Sequence, residues 1–426
     1  MWRTYFKNDA LPLWRLAIPL MLTGLSQALV PFFETLFLAR LGAENLAAGA
    51  IVSWLFGTLA VVAFGTSGAI NVLVSHQYGA KNNQGIGKVA QAGLWLALIL
   101  ALPTIILFWN IPPILLYFGQ SSIIVSLAQQ YLHALAFGLL PNLIFIALLE
   151  VLVGLGRGRL IFRFILIQVS LTISWSFVLI FGKIGFPALG IAGAGWGITV
   201  NSCLMVIILG CYVLLHSDYR HYFRLSLQIN HSLFSLLREL LSIGLPTGVM
   251  YCLEVAFFLA LTLMVGATGG SDWMAANQVT LQYMGTWMSL IFAIAQAITV
   301  RMGHLLGAED IPSAKRAAVC GVATSGGLMV IIAILFWCCP LIFIAVDFNP
   351  HHVETAAVVV MIIALFKVSS LFQIVEAIRI AWFGALRSLK DTRFPLLSTL
   401  IGFWLIPLPI GYALFHYMSI GVVGFW

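Results

Sequence analysis

Long apolar stretches alternate with short polar breaks along nearly the whole chain. Gly, Pro and clustered charges mark the breaks, and the apolar stretches are long enough to cross a hydrocarbon core, which takes roughly 20 residues of helix. The pattern predicts eleven complete membrane-spanning helices, at residues 11–39, 47–78, 87–111, 122–155, 160–182, 191–216, 233–266, 274–305, 315–345, 354–386 and 395–416. We therefore predict an all-α, polytopic membrane protein.

Composition excludes a soluble protein. The chain has 426 residues, of which 62% are hydrophobic and 8% are charged, with a mean hydropathy of +1.05. A soluble domain carries about 25% charged residues, so a soluble fold could not bury this much apolar surface. The first apolar run, residues 11–39, is too long for a cleavable signal peptide, and no small-residue cleavage site follows it.

The net charge of +7 reflects membrane orientation. Seventeen of the 21 basic residues cluster near alternate loops: Arg3, Lys7, Arg15, Lys81, Lys88, Arg157, Arg159, Arg163, Arg220, Arg224, Arg238, Arg301, Lys315, Arg316, Arg387, Lys390 and Arg393. This bias follows the positive-inside rule, which places the N-terminus and these loops in the cytoplasm. We therefore predict a multi-pass protein of the bacterial inner membrane, with no nucleic-acid partner.

The two halves of the chain are related by an internal repeat. Landmark residues recur at offsets of 227 to 231 positions: Pro19 and Pro246, His76 and His304, Gly79 and Gly307, Gly93 and Gly321, Gly154 and Gly384, Arg157 and Arg387, Gly190 and Gly421, Gly193 and Gly424. We predict an N-terminal lobe at 1–216, a cytoplasmic linker at 217–232 and a C-terminal lobe at 233–426. Six helices per half is an even number, so the halves should be parallel repeats around a central cavity.

The repeat also indicates where the second half ends. Residues 421–426 correspond to the start of its sixth helix. Either the twelfth helix is truncated or the protein lacks it, and we expect truncation, because Phe425 and Trp426 resemble the beginning of a helix.

Four of the fourteen acidic residues fall well inside predicted spans, namely Glu34, Glu150, Glu254 and Glu376. A carboxylate inside a membrane is costly and indicates function by default. Glu150 lies near the cytoplasmic end of its helix beside Arg157, and a local ion pair explains it.

Glu34 lies in the middle of the first span, three residues after Pro31. Proline removes a backbone donor and clashes with the carbonyl of Gln27, which predicts a kink and a free acceptor. Gln27 and Glu34 are seven residues apart and share a helical face. These groups suit a proton or a hard cation. The alternative is a carboxylate that serves packing alone.

Glu254 lies deep in the seventh span between Tyr251 and Phe258, which share its face. Its charge and the aromatic faces together would suit an organic cation, although the rings alone are explained by packing.

Glu376 lies in the tenth span, three residues after Gln373 and three before Arg379. The i,i+3 spacing favours an ion pair with Arg379. Such a pair could be purely structural, or it could be a switch that a proton or a cation opens.

Several segments carry a family resemblance across essentially the whole chain. AIPLMLTGLSQALVPFFETLFLARLG at 17–42 resembles the first helix of multidrug and toxic-compound extrusion (MATE) exporters of the NorM type. GLPTGVMYCLEVAFF at 244–258 is similar to their seventh helix. MAANQVTLQYMGTWMSLIFAIAQAITVRMGHLLGAED at 274–310 and LFQIVEAIRIAWFGALRSLKDTRFP at 371–395 resemble their eighth and tenth helices with the following loops.

The resemblance implies two six-helix bundles and cation-coupled export of organic cations. Glu254 matches the carboxylate that binds the coupling ion, which makes Glu254 and Glu376 candidate Na⁺ ligands. Glu34 and Glu376 stand where the family commonly has Asp, and Arg379 stands where a neutral polar residue is expected. These departures leave Na⁺ or H⁺ coupling open. Asn277 and Gln278 match polar positions of the eighth helix.

We therefore expect a monomeric antiporter that binds small organic cations, contacts membrane lipids and needs no cofactor beyond its coupling ion, Na⁺ or H⁺. One alternative is a lipid-linked oligosaccharide flippase, whose anionic substrates call for basic residues in the cavity. The other is a channel or scaffold without coupled transport. An enzyme is not expected, because the sequence contains no nucleophile–base or metal-ligand motif, and the six cysteines show no paired spacing.

Overall fold

The described part of the chain is helical throughout. The computed structural model describes residues 10–117, 119–223, 231–347, 356–417 and 421–426, and these residues form helices and no strand. The first helices are α1 (Leu11–Gln27), α2 (Leu29–Arg40), α3 (Ala43–Ser67), α4 (Ala69–Gly79), α5 (Asn83–Tyr117), α6 (Ser122–Gly154), α7 (Gly158–Phe181), α8 (Ile191–Leu215) and α9 (Ser217–Arg220). The later ones are α10 (His231–Gly307), α11 (Ile311–Cys338), α12 (Pro340–Asp347), α13 (Ala356–Ser388), α14 (Arg393–Thr399), a π-helix (Leu400–Leu405), α15 (Pro407–Tyr417) and a 3₁₀ turn (Gly421–Phe425).

Ten helical segments of the described chain are long and apolar enough to cross a membrane. This confirms the prediction of an all-α, polytopic membrane protein. The predicted count of eleven differs because the seventh and eighth spans lie in one helical segment, α10. Within α10 the backbone leaves helical geometry only at Gly270, with φ 75° and ψ −171°. A residue without a Cβ adopts this conformation readily, so Gly270 marks the boundary between the two spans.

Helices satisfy their own backbone groups, which lipid cannot do, and one interruption lies next to a proline. The predicted first span is divided at Ala28, where α1 ends and α2 begins. Pro31 cannot donate to the carbonyl of Gln27, and this missing bond lies at the interruption. The hydroxyl of Thr35 donates to the Pro31 carbonyl at 2.8 Å.

The chain divides into two compact units. One contains residues 1–17, 249–302 and 311–426, and the other contains 18–248 and 303–310. Apolar side chains form the core of each, including Phe108, Tyr131 and Leu132 in the unit of residues 18–248. The predicted lobe boundaries at 216 and 233 remain a prediction. Within the predicted linker, Ser217–Arg220 form the short helix α9, while 224–230 lie outside the described residues, as do the N-terminal basic residues of 1–9 and positions 354–355 of the tenth span.

Two repeat-related glycines make matching backbone contacts inside the unit of residues 18–248 and 303–310. A Cβ on Gly79 would overlap the carbonyl of His304, and a Cβ on Gly307 would overlap the carbonyl of His76. The Nε2 atom of His304 lies 2.7 Å from the Gly154 carbonyl oxygen. Helix ends can approach this closely only where the side chain is absent, so these positions require glycine.

Candidate functional site

Arg379 is the centre of a buried charge cluster on α13. Its Nε donates to Oε2 of Glu376 at 2.7 Å, and its Nη2 donates to Oε1 of the same carboxylate. The two bonds form the fork that a planar guanidinium makes with a carboxylate, which is stronger and more directional than a single contact. The i,i+3 spacing on one helix places the two side chains within reach of each other.

Glu254 reaches the same guanidinium from α10. Its Oε1 accepts a bond from Nη2 of Arg379 at 2.6 Å, so one nitrogen binds both carboxylates. Thr399, at the end of α14, accepts from Nη1 of Arg379 at 2.9 Å. The backbone of α10 is tied at this level by Trp404, whose indole donates to the Leu253 carbonyl at 3.1 Å.

The π-helix that follows Thr399 supplies one wall of the cluster. Pro407 has no N–H to donate to the carbonyl of Phe403, and the helix widens so that Ile406 donates to Ile401, five residues back, at 3.1 Å. Such wide turns often lie at functional sites. Here the turn brings the ring of Phe403 to 4.9 Å from the centre of the Arg379 guanidinium.

The cluster has more negative than positive charge at its centre. A second ring, that of Phe383, lies 4.6 Å from the Arg379 guanidinium, and the side chains of Glu254 and Arg379 are 10% and 18% exposed. The Glu376 side chain is 9% exposed. Two carboxylates share one guanidinium, so one negative charge is uncompensated when both are ionised. Uncompensated charge in an apolar interior is costly, and a proton or an added cation would relieve it.

Arg387 lies beside this cluster, and the sequence analysis did not identify it as an interior residue. It was assigned to a cytoplasmic basic cluster, but its guanidinium donates to the hydroxyl of Tyr251 at 3.4 Å and to Thr299 at 3.2 Å. Gly384 makes this possible, because a Cβ there would lie 2.5 Å from the carbonyl oxygen of Ala295. The repeat pairs Gly384 with Gly154, which packs closely against Val74, so it could have indicated a packing role for Gly384. It gave no signal for the direction in which the Arg387 side chain points.

Glu34 belongs to the other compact unit and has a different environment. Its Oε2 accepts a bond from the hydroxyl of Tyr131 at 3.4 Å, while its Oε1 is buried and has no hydrogen-bond partner among the described residues. Gln27, which the sequence placed beside it, is exposed on the far side of the interruption at Ala28. Glu34 is thus held by a tyrosine, and its free oxygen can accept a proton.

The remaining predicted site residues lie apart from the charge cluster or make no contact with it. Asn277 is fully buried; it donates to the Thr262 hydroxyl at 3.3 Å and accepts a bond from the Trp426 indole at 3.0 Å. Its neighbour Gln278 is exposed. Gln373 is 2% exposed, and neither atom of its amide has a hydrogen-bond partner within the described part of the chain.

A Na⁺ ion would have to compete with the protein at Glu254 and Glu376. Hard cations prefer several oxygen ligands, but the oxygens that face each other here bind the guanidinium of Arg379. The described residues contain no group of three or more His, Cys, Asp or Glu side chains placed to hold a metal. A Na⁺ ion at these two carboxylates would therefore share their oxygens with the guanidinium or displace it.

Comparisons with known proteins agree on one family. A sequence model of the MatE family matches residues 19–178 and 246–413. The chain is 31% identical over 412 residues to a probable multidrug resistance protein NorM of Pseudomonas syringae pv. tomato, covering 97% of this chain and 89% of that protein. It is 30% identical over 414 residues to a Pseudomonas putida protein of the same name, with the same coverage.

A solved structure shows the same fold. The structure superposes on the eukaryotic MATE transporter AtDTX14 with a TM-score of 0.84 at 21% identity, over 99% of this chain and 92% of that one. At this level of identity the likeness concerns the fold alone.

Proposed function

Because the chain belongs to the MatE family of membrane transporters, we propose that it is a multidrug exporter. It moves small organic cations outward across the bacterial inner membrane in exchange for a coupling cation, as a monomer with a cytoplasmic N-terminus. The relatives named as multidrug resistance proteins support the substrate class. The clustering of basic residues near alternate loops supports the orientation.

One observation carries the mechanism, namely that Glu254 and Glu376 share the guanidinium of Arg379. With both carboxylates ionised, the surplus negative charge attracts an organic cation, and the rings of Phe383 and Phe403 add apolar and cation–π surface. When a proton binds one carboxylate, that attraction is lost and the substrate is released outward. Substrate and coupling ion thus compete for the same charge, which gives the differential affinity that any coupling requires.

The coupling ion that the geometry favours is H⁺. A proton can add to an oxygen of Glu254 while Arg379 keeps its fork on Glu376, whereas Na⁺ takes several oxygen ligands and would compete with the guanidinium for those that it binds. Glu34, with one buried and unpartnered oxygen, offers a second proton acceptor in the other unit. Two carboxylate sites in separate units leave room for more than one proton per cycle.

Ethidium efflux from drug-sensitive cells tests the proposal. Cells expressing the chain should extrude ethidium, Glu254→Gln should abolish extrusion, and a protonophore should do the same while replacement of Na⁺ by K⁺ should not. Exchange of Gln120, exposed and outside the cluster, for Ala is the matched control and should extrude normally. Extrusion that stops without Na⁺ would contradict H⁺ coupling, and no extrusion by folded protein would favour the flippase alternative.

A further inference from the structure

Arg387 holds a half-buried positive charge among neutral partners. Its Nη1 and Nη2 donate to the hydroxyls of Tyr251 and Thr299, and its Nε is buried without a hydrogen-bond partner among the described residues. A charge withdrawn from water is costly unless an opposite charge compensates it. An opposite charge that offsets this cost would act at longer range than these two hydrogen bonds.

The surplus carboxylate of the neighbouring cluster is placed to provide it. Tyr251 precedes Glu254 by one helical turn on α10, so the two side chains share a face. The Tyr251 hydroxyl accepts a bond from Nη1 of Arg387, so the guanidinium of Arg387 reaches this face of α10. Arg387 and Arg379 together carry as many positive charges as Glu254 and Glu376 carry negative ones, so Arg387 partly offsets the surplus negative charge at the centre of the cluster.

We propose that Arg387 is a specificity-determining residue that limits how tightly the Glu254–Glu376 site holds a cation. This inference rests on the proposed function, because it assumes that organic cations bind at those carboxylates. Without Arg387 the surplus negative charge would attract a cation at full strength, and the bound substrate would leave slowly. With Arg387 in place, the site attracts a cation weakly enough for one proton to displace it. Arg387 acts through the field at the carboxylates and need not touch the substrate.

The expected effect is a gain in affinity. A unit charge about two helical turns away, at an effective dielectric near 20, changes the affinity for a monovalent cation by about tenfold. Arg387→Gln should therefore bind ethidium about tenfold more tightly, and Arg387→Lys, which keeps the charge, should bind it as the wild type does. An uncharged aromatic probe of similar size should bind all three proteins equally, because the field acts on charge alone.

The test measures equilibrium binding of ethidium to the purified full-length chain by fluorescence. Arg157, the repeat-related counterpart of Arg387, lies over the ring of Tyr219 at 5.7 Å, and Arg157→Gln is the matched control that should leave affinity unchanged. If Arg387→Gln does not fold, Thr299→Asp neutralises the guanidinium in place and should tighten binding likewise.

The outcomes separate the two proposals. Weaker binding by Glu254→Gln together with unchanged binding by Arg387→Gln would overturn the role of Arg387 and leave the proposed function standing. Equal tightening by Arg157→Gln would also overturn it, because the effect would then be general to the surface charge. Unchanged binding by Glu254→Gln would remove the site itself, and the proposed function would fail with it.

Discussion

Replacing Arg379 with Gln should make the stability of the protein depend on pH. The substitution removes the nitrogen that binds the Oε1 atoms of both Glu254 and Glu376, and leaves two carboxylates facing each other. At about 4 Å and an effective dielectric near 20, two like charges repel by about 4 kcal/mol. Breaking a buried ion pair typically destabilises a protein by about 3–5 kcal/mol. This range and the repulsion energy are two estimates of the same loss of stability, so they are not added together.

A proton removes the repulsion. A repulsion of about 4 kcal/mol corresponds to about three pH units of proton affinity, at about 1.4 kcal/mol per unit. One of the two carboxylates in Arg379→Gln should therefore be protonated at neutral pH. The variant should lose stability as the pH rises, because that proton is released and the two carboxylates then repel each other. The double variant Glu254→Gln/Arg379→Gln has a single carboxylate in the cluster and should lack this alkaline instability.

Thermal unfolding of the detergent-solubilised chain, measured at mildly acidic and mildly alkaline pH, checks this reasoning. The account predicts a melting temperature for Arg379→Gln that falls steeply towards alkaline pH, and a shallower dependence for the double variant and the wild type. A positive coupling energy in the double-mutant cycle would show that the two residues interact. Equal destabilisation of Arg379→Gln at both pH values would refute the repulsion argument.

Two further predictions concern other parts of the structure. Gly384→Ala should destabilise the chain by about 1–3 kcal/mol, because its Cβ would meet the Ala295 carbonyl at 2.5 Å. The control Gly327→Ala, with no atom within 4 Å of its Cβ, should be neutral or stabilising by up to about 1 kcal/mol. Equal melting temperatures for the two variants would contradict the packing argument. Tyr131→Phe removes the hydroxyl that donates to Glu34. The variant should lose about 1–3 kcal/mol of folding stability at alkaline pH, where Glu34 is ionised, and less at acidic pH. In thermal unfolding, an equal loss of stability at both pH values would contradict that assignment.

The sequence predicted the class of fold because lipid imposes simple rules. Apolar runs of sufficient length, bounded by charge and glycine, located nearly every helix. The seventh and eighth spans were predicted as separate helices, and the boundary between them lies at Gly270, where a single residue turns the chain while its neighbours stay helical. Length and composition do not show how a short glycine-containing stretch connects two helices. The two spans could therefore be predicted, but the conformation of the connection between them could not.

The candidate site was predictable where partners lie on one helix. The spacing of Glu376 and Arg379 favours their pair, and the structure contains it; its role in transport remains a prediction. The partners from other helices, Thr399 in α14 and Phe403 in the π-helix, could not be found, because the sequence does not show which residues of other helices pack against Arg379. The direction of Arg387 was likewise hidden, because a basic residue near a helix end satisfies the positive-inside rule whichever way it points.

The most direct test of the central claim is transport by the purified chain in proteoliposomes with one imposed gradient at a time. The account predicts that a H⁺ gradient without Na⁺ drives ethidium accumulation, that a Na⁺ gradient alone does not, and that Glu254→Gln abolishes the H⁺-driven transport. Accumulation driven by Na⁺ alone, or H⁺-driven accumulation that survives Glu254→Gln, would contradict it.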